Sequence, residues 1–150
     1  VVHLCRDPGL QCRLRHDPAL IPAAIEELLR LYTPYRGFAR TAVCDVEIRG
    51  TTIPEAEPIA VVYASANRDA EVFDEPDTFR LDRPNMKDSV AFGRGPHACV
   101  GAALARLELK VALEEMLAAA PSFSLAGEPV QTRFPEIGAL SVPVRFGAGA

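Results

Sequence analysis

The residues best suited to chemistry lie in one stretch, FGRGPHACVGAALARLE, at residues 92–108. Cys99 stands directly before a helix-forming run, where the free amide groups and the helix dipole favour a thiolate over a thiol. Three glycines flank it: Gly93, Gly95 and Gly101. Their missing side chains let the backbone approach something large or flat. A thiolate in this setting suits axial ligation of a haem iron, with Phe92 covering the sulfur on one side.

His97 stands two residues before Cys99, so a Cys–His hydrolase is an alternative. That chemistry needs the thiol and the imidazole to converge beside an oxyanion hole. A spacing of two residues inside a glycine-rich loop gives no reason to expect this. Sensitivity to thiol-directed inhibitors without any haem signal would support the alternative.

The other cysteines show no zinc-binding pattern, because none of the four cysteines forms a CxxC pair. No secretory signal begins the chain, so we expect reduced thiols and a cytoplasmic protein. We predict that the remaining three act as small buried hydrophobic residues: Cys5, Cys12 and Cys44.

A helix must position the cysteine loop, and residues 100–120 have the pattern for one. Apolar residues recur there at the spacing of a core-facing stripe: Leu104, Leu107, Val111 and Leu117. Pro121 ends the predicted helix.

Two further helical segments precede this region. Residues 1–16 are typical of the end of one helix followed by a short second one. Residues 17–32 predict a longer helix, with Asp17 as its cap, and Pro34 ends it. Its apolar residues keep helical spacing: Ile25, Leu28, Leu29 and Tyr32.

Strand signals are short and scattered. Residues 42–50 alternate and predict a half-buried strand, whose inner face carries Cys44, Val46 and Ile48. The continuous apolar run 58–66 predicts a strand buried on both faces. Residues 140–146 predict an edge strand, because Pro143 cannot donate to a ladder. The charged segment 67–91 has no period and predicts a long functional loop.

The length, net charge and hydropathy of the chain limit the number of domains and the kinds of partner it can have. The chain has 150 residues, which predicts one domain over residues 1–150. Its 16 basic and 20 acidic residues give a net charge of −4, which argues against nucleic-acid binding. No apolar stretch of about 18 residues predicts a membrane span. The chain starts with Val1 and not with methionine, so we expect that its start is a cut.

The cysteine loop resembles the haem-binding loop of the cytochrome P450 family, in its soluble bacterial form. The family pattern Phe-x-x-Gly-x-His-x-Cys-x-Gly is filled at every position: Phe92, Gly95, His97, Cys99 and Gly101. The following LARLE, residues 104–108, is also similar to the family. The resemblance implies that the cofactor is haem and that Cys99, as thiolate, is both its iron ligand and the catalytic residue.

The family also has a Glu-x-x-Arg pair on an upstream helix, matched here by Glu27 and Arg30. By spacing alone, such a pair is a surface pair that contributes about 0.2–0.5 kcal/mol. The resemblance implies instead a buried structural group completed by Arg83, from the similar segment PDTFRLDR at residues 76–83. Arg80 departs from the family, which has an acid there.

The resemblance also implies roles for polar and aromatic residues around the haem. Arg40 and His97 correspond to contacts of the haem propionates, and carboxylates of this kind need cationic or hydrogen-bonding partners. Residues 35–38 and 137–140 correspond to segments that face substrate.

A basic patch of Arg94, Arg106 and Lys110 is a candidate docking surface for an acidic electron donor. A solvated helix face explains the same charges equally well.

The implied protein is a haem-thiolate monooxygenase that inserts one atom of dioxygen into a small organic substrate. Its electrons come from NAD(P)H through a ferredoxin or flavoprotein partner. The expected fold is mainly α with a small β-sheet (α+β), the C-terminal part of the cytochrome P450 fold. The 150 residues contain neither the distal helix nor the N-terminal part of that fold, so we expect the isolated chain to be inactive. The alternative is a non-catalytic remnant or interaction module that binds haem weakly or not at all.

Overall fold

Helices carry the core of the chain, and short two-stranded sheets lie around them. The computed structural model describes residues 1–147. The helices are α1 (Val2–Arg6), α2 (Pro8–His16), α3 (Ile21–Tyr32), α4 (Tyr63–Ala66) and α5 (Ala102–Ala119). The strands are β1 (Phe38–Thr41), β2 (Val46–Ile48), β3 (Thr51–Ile53), β4 (Pro58–Val61), β5 (Phe123–Leu125), β6 (Val130–Gln131), β7 (Ala139–Ser141) and β8 (Val144–Phe146). This confirms the mixed class with helices dominant. Within residues 1–147 the strands form four separate two-stranded antiparallel sheets: β1–β4, β2–β3, β5–β8 and β6–β7.

The core lies between the first three helices, the second half of α5 and strand β5. Its buried members include Leu4, Leu10, Leu14, Ile21, Ile25, Leu29, Leu113, Leu117 and Phe123. A buried amide joins these layers, because Gln11 donates to the carbonyls of Leu4 at 2.8 Å and Phe123 at 2.7 Å. The Gln11 side-chain oxygen accepts from the Phe123 amide at 3.1 Å, so this polar group is satisfied without water.

Helix α3 confirms the longer helix predicted from the sequence, with a later start. Residues Pro18–Leu20 form a 3-10 turn, and the Asp17 carboxylate accepts from the Ala19 amide at 3.1 Å. Asp17 therefore caps this turn, and the α-helix begins at Ile21 with Pro22 in its first turn.

The strand predicted over residues 42–50 is wrong in extent and burial. Residues 42–45 lie between strands, and β2 begins only at Val46. Arg49 and Gly50 both adopt positive φ, which makes a two-residue hairpin between β2 and β3. The hairpin lies at the surface, so Cys44 and Ile48 are exposed.

The buried strand predicted over residues 58–66 is also wrong. Strand β4 ends at Val61, is largely exposed, and pairs with β1. Helix α4 follows from Tyr63 to Ala66. A short apolar run does not distinguish a strand from a helix, and here it divides between the two.

Helix α5 confirms the helix predicted over residues 100–120, but most of its expected core stripe is exposed. Leu117 is buried together with Leu113, whereas Leu104, Leu107 and Val111 are exposed. Helical spacing identifies a face but not what covers it.

The predicted single strand over residues 140–146 is two strands in different sheets. Strand β7 pairs with β6, and β8 pairs with β5. Pro143 lies between them and its carbonyl accepts from Ala126 at 2.9 Å, so the proline divides the ladder instead of marking an edge.

The predicted burial of the three other cysteines holds for one of them. Cys5 is buried, but Cys12 and Cys44 are exposed, and all four cysteines are free. Among the described helices, none combines the length and apolar character needed to cross a membrane.

Candidate functional site

The loop that carries Cys99 is folded back on itself by backbone hydrogen bonds. The Gly93 amide donates to the Val90 carbonyl at 2.9 Å, and the Cys99 amide donates to the Phe92 carbonyl at 2.8 Å. Gly93 and Gly95 have φ of 69° and 73°, a region that other residues rarely adopt. These glycines therefore allow the tight reversal that presents Cys99.

The Cys99 side chain is exposed, and the helix begins slightly later than its sequence suggests. Helix α5 starts at Ala102 with Gly101 as its N-cap, so Cys99 lies three residues before the first helical residue. A Cβ on Gly101 would lie 3.8 Å from the Cys99 Sγ. The glycine thus keeps the space beside the sulfur open.

An aromatic row links this loop to strand β1. A Cβ on Gly93 would lie 3.8 Å from the Tyr63 hydroxyl. The Tyr63 and Phe38 ring centroids are 6.0 Å apart, and Phe38 stacks on Tyr35 at 5.4 Å. Strand β1 and the start of α4 therefore stand next to the cysteine loop.

The two residues predicted to hold carboxylates are both exposed. Arg40 lies on β1 opposite Ile59, and its guanidinium donates to the Ala39 carbonyl at 2.8 Å. His97 ends the 3-10 turn Gly95–His97 in the cysteine loop. In residues 1–147, neither side chain forms an ion pair, and no hydrogen bond joins the His97 ring to the Cys99 thiol. The structure therefore gives the Cys–His alternative no support.

The two segments predicted to face substrate lie side by side. The Arg36 amide donates to the Pro135 carbonyl at 3.0 Å, and the Ile137 amide donates to the Pro34 carbonyl at 2.7 Å. Residues 35–38 and 137–140 thus meet although they are far apart in sequence.

The structure brings Glu27, Arg30 and Arg83 into one buried charge cluster. Arg30 forms a bidentate pair with Glu27, with both nitrogen–oxygen distances at 2.8 Å. Arg83 Nε donates to Glu27 Oε1 at 2.8 Å, and the Arg80 amide donates to the same oxygen at 3.0 Å. Burial alone would raise the pKa of Glu27, but the hydrogen bonds from its two arginines and the Arg80 amide hold it below the ordinary 4.5.

The remaining donors of the two arginines reach backbone carbonyls of the long loop. Arg30 donates to the Asn67 and Pro76 carbonyls, both at 2.7 Å. The loop carbonyls that accept from Arg83 belong to Asp74, Glu75 and Thr78. The cluster therefore gives residues 67–83 a fixed course without regular secondary structure.

The unusual Arg80 is accommodated by nearby acids. Its guanidinium pairs with Asp82 at 3.2 Å and Asp74 at 3.1 Å. The hydrogen bond from Arg80 lowers the pKa of Asp82. The Arg80 guanidinium thus pairs with acidic side chains of the loop, while its backbone amide donates to Glu27.

Each member of the predicted basic patch has an acidic neighbour. Arg106 pairs with Glu26 at 2.5 Å, Lys110 with Glu114 at 3.7 Å, and Arg94 with Asp88 at 3.8 Å. The Arg106 guanidinium also lies 4.6 Å from the centroid of the Phe92 ring. The Phe92 ring thus packs beneath Arg106, while the Phe92 carbonyl accepts from the Cys99 amide.

Asn67 is a site residue that the sequence reading passed over. Its side chain is fully buried and connects α3 with the start of the cysteine loop. Asn67 lies in the sequence ANRD, residues 66–69, but a buried asparagine cannot be told from a turn asparagine by sequence alone.

The donor set around Cys99 fits haem better than a bare metal ion. No group of three or more metal-ligating side chains occurs within the described residues. An iron held by this single sulfur needs its other ligands from a non-protein group, which a porphyrin supplies. The open space at Gly101 and the cationic Arg40 suit a flat group that carries carboxylates.

Comparison with known proteins identifies the family. The Cytochrome P450 family model matches residues 4–143. The chain is 42% identical over 149 residues to Cytochrome P450-terp from a Pseudomonas species, covering 97% of this chain and 34% of that protein. It is 38% identical to 20-oxo-5-O-mycaminosyltylactone 23-monooxygenase from Streptomyces fradiae, and the match covers 97% of this chain and 36% of that protein. The solved structure of CYP108D1 from Novosphingobium aromaticivorans matches with a TM-score of 0.91 at 39% identity, covering 99% and 36%. The chain belongs to the cytochrome P450 family.

The match is to part of the family fold. The chain spans 34% and 36% of the two curated relatives, about a third of their length. The predicted partial fold is therefore confirmed.

Proposed function

We propose that this chain forms the haem-binding part of a cytochrome P450 monooxygenase, with the Cys99 thiolate as axial ligand of the haem iron. The observation that carries the proposal is the exposed Cys99 sulfur, presented by a loop with two positive-φ glycines in a chain of this family. The relatives named as monooxygenases support the reaction class.

Each residue around the sulfur has a task in this proposal. Cys99 holds the iron, while Gly93 and Gly95 shape the loop and Gly101 leaves room beside the sulfur. Arg40 and His97 bind the two haem carboxylates, since charge-assisted hydrogen bonds are the strong ones. Phe92 anchors the loop through its ring, which packs against the core and Arg106.

A thiolate-bound haem supplies activation of dioxygen, one atom of which enters a small organic substrate, with NAD(P)H electrons delivered by a ferredoxin or flavoprotein. Residues 35–38 and 137–140 form one edge of the substrate space, because the backbone bonds Arg36–Pro135 and Ile137–Pro34 hold the two segments side by side. We further propose a cytoplasmic location, since all four cysteines are free thiols.

The test is a spectrum of the purified 150-residue chain with added haemin, reduced, with and without carbon monoxide. We expect a strongly red-shifted Soret band that disappears in Cys99→Ser and persists in Cys44→Ser, whose sulfur is equally free and exposed. An unshifted band would mean a protonated thiol or another ligand and would contradict thiolate ligation. No band at all would overturn haem binding by this chain and leave a haem-free module.

A further inference from the structure

The side chain of Asn67 lies at a buried junction between three segments of the chain. Asn67 is 0% exposed and directly follows helix α4. Its Nδ2 donates to the Thr33 hydroxyl at 2.8 Å, and its Oδ1 accepts from the Val90 amide at 2.7 Å. Its backbone carbonyl accepts from Arg30 at 2.7 Å. One residue therefore contacts the end of α3, the buried charge cluster and the segment that leads to Cys99.

The hydrogen-bonding chemistry fixes the orientation of this amide. The Val90 amide can only donate, so it must face the side-chain oxygen of Asn67. The Asn67 nitrogen then faces the Thr33 oxygen, and the Thr33 hydroxyl donates its own hydrogen to the Arg30 carbonyl at 2.8 Å. Every polar atom of the asparagine side chain is engaged, and the flipped amide would place two donors against each other.

Val90, at the start of the cysteine loop, is hydrogen-bonded through both its amide and its carbonyl. Its amide is bound by Asn67, and its carbonyl accepts from the Gly93 amide at 2.9 Å. The next residue but one, Phe92, accepts from the Cys99 amide at 2.8 Å. Three hydrogen bonds thus connect Asn67 to the backbone of Cys99.

We infer that Asn67 is a positioning residue for Cys99: its side-chain oxygen fixes the start of the ligand loop relative to helix α3. The test of this inference with added haemin rests on the proposed function. The test by amide exchange of the haem-free loop does not. A residue that served only the stability of the fold would act equally on α3 and on the loop. A positioning residue acts on the loop beyond its effect on α3.

Thr33→Val is the matched control variant. It removes the hydroxyl that accepts from Asn67 and donates to Arg30, so it disturbs the same buried junction. It leaves the Asn67 oxygen facing Val90. Asn67→Ala removes that oxygen. Asn67→Asp keeps an oxygen opposite the Val90 amide, and its second oxygen accepts the Thr33 hydroxyl hydrogen in place of the Arg30 carbonyl.

The first experiment measures amide hydrogen exchange in the ¹⁵N-labelled, haem-free 150-residue chain. In Asn67→Ala we expect protection of the Val90 and Cys99 amides to fall about tenfold further than protection of α3, as for loss of one local hydrogen bond. Thr33→Val should lower the protection of the loop amides and of the α3 amides by similar factors. Asn67→Asp should restore the protection of the Val90 amide. Equal losses in Asn67→Ala would overturn the inference. If Asn67→Ala does not fold, the exchange rate of the Val90 amide in the wild-type chain tests the inference instead. A Val90 amide that exchanges as fast as exposed loop amides would overturn the inference.

The second experiment adds haemin and measures the red-shifted fraction of the reduced carbon monoxide Soret band. We expect a several-fold smaller fraction in Asn67→Ala than in Thr33→Val, with recovery in Asn67→Asp. Equal fractions in the two variants would contradict the inference. Failure of the wild-type chain to show any Soret band would contradict the proposed function alone, since the exchange measurement still decides the role of Asn67.

Discussion

Glu27 Oε1 accepts a hydrogen bond from Arg83 Nε at 2.8 Å, although the two residues lie 56 positions apart. The same carboxylate pairs with Arg30 within helix α3, so one buried anion joins the helix to the long loop. Both oxygens are engaged, and neither the carboxylate nor the Arg30 guanidinium is exposed. Breaking such a cluster leaves uncompensated charge in the interior.

Glu27→Gln should therefore lower the free energy of unfolding by about 3–5 kcal/mol, the usual effect of removing one partner of a buried pair. Urea unfolding followed by circular dichroism measures it. Glu26→Gln is the neighbouring control, because Glu26 forms a partly exposed pair with Arg106 that should contribute under about 1 kcal/mol. Similar effects of the two substitutions would contradict the role given to Glu27.

His3 should make the stability of the fold dependent on pH. Its ring packs against Phe79 at 4.7 Å and bonds to the Tyr32 hydroxyl at 2.8 Å. Burial lowers the pKa of His3 below its ordinary 6.5, opposed by the charges of Asp7 and Glu27 and assisted by the Val1 amino group. The unfolded chain therefore binds a proton more readily, and stability falls as pH drops below about 6.5.

Urea midpoints between pH 5 and 8 test this expectation, because Glu27 titrates below that range. His3→Leu should weaken the pH dependence and leave the part that comes from the Val1 amino group, whose pKa burial lowers below 8.0. His16→Gln, at an exposed position, is the matched control. Parallel curves for the wild-type chain and His3→Leu would show that His3 does not contribute.

The exposed stripe on helix α5 should cause self-association of the 150-residue chain. Leu104, Leu107 and Val111 are 60%, 56% and 47% exposed and share one helix face. Light scattering should show concentration-dependent growth of the particle mass. The double substitution Leu104→Lys/Val111→Lys should reduce it, and Thr52→Lys, on the exposed β2–β3 hairpin, should not. A monomer at every concentration would rule out association through this face.

Gly37 should be intolerant of even a methyl group. A Cβ there would overlap the Val61 carbonyl, which is backbone of β4 and cannot swing aside. Gly37→Ala should cost about 1–3 kcal/mol of unfolding free energy, as for an overpacked site. Gly127→Ala is the control, since its Cβ would make only ordinary contacts with Pro143. A wild-type urea midpoint for Gly37→Ala would contradict the close approach of β1 and β4.

The sequence predicted those parts of the fold that depend on local order. Helix α3 and helix α5 follow from apolar spacing and from the prolines that end them, and the cysteine loop follows from a dense motif. The burial of Leu104 and of the run 58–66 was predicted wrongly, because periodicity says which residues share a face and nothing about the layer above it. Asn67 was missed for a related reason, since its partners Thr33 and Val90 lie 34 and 23 residues away.

The arginines of the buried cluster recognise the long loop by its main chain. Arg30 and Arg83 donate to the carbonyls of Asn67, Asp74, Glu75, Pro76 and Thr78, whose side chains take no part in those bonds. A carbonyl is the same in every amino acid, so most substitutions between residues 68 and 79 leave these acceptors in place. An insertion or deletion moves every acceptor out of register at once. In related chains, this loop should therefore keep its length and the apolar residues at Phe73 and Phe79, which pack inward, while its other positions vary in composition.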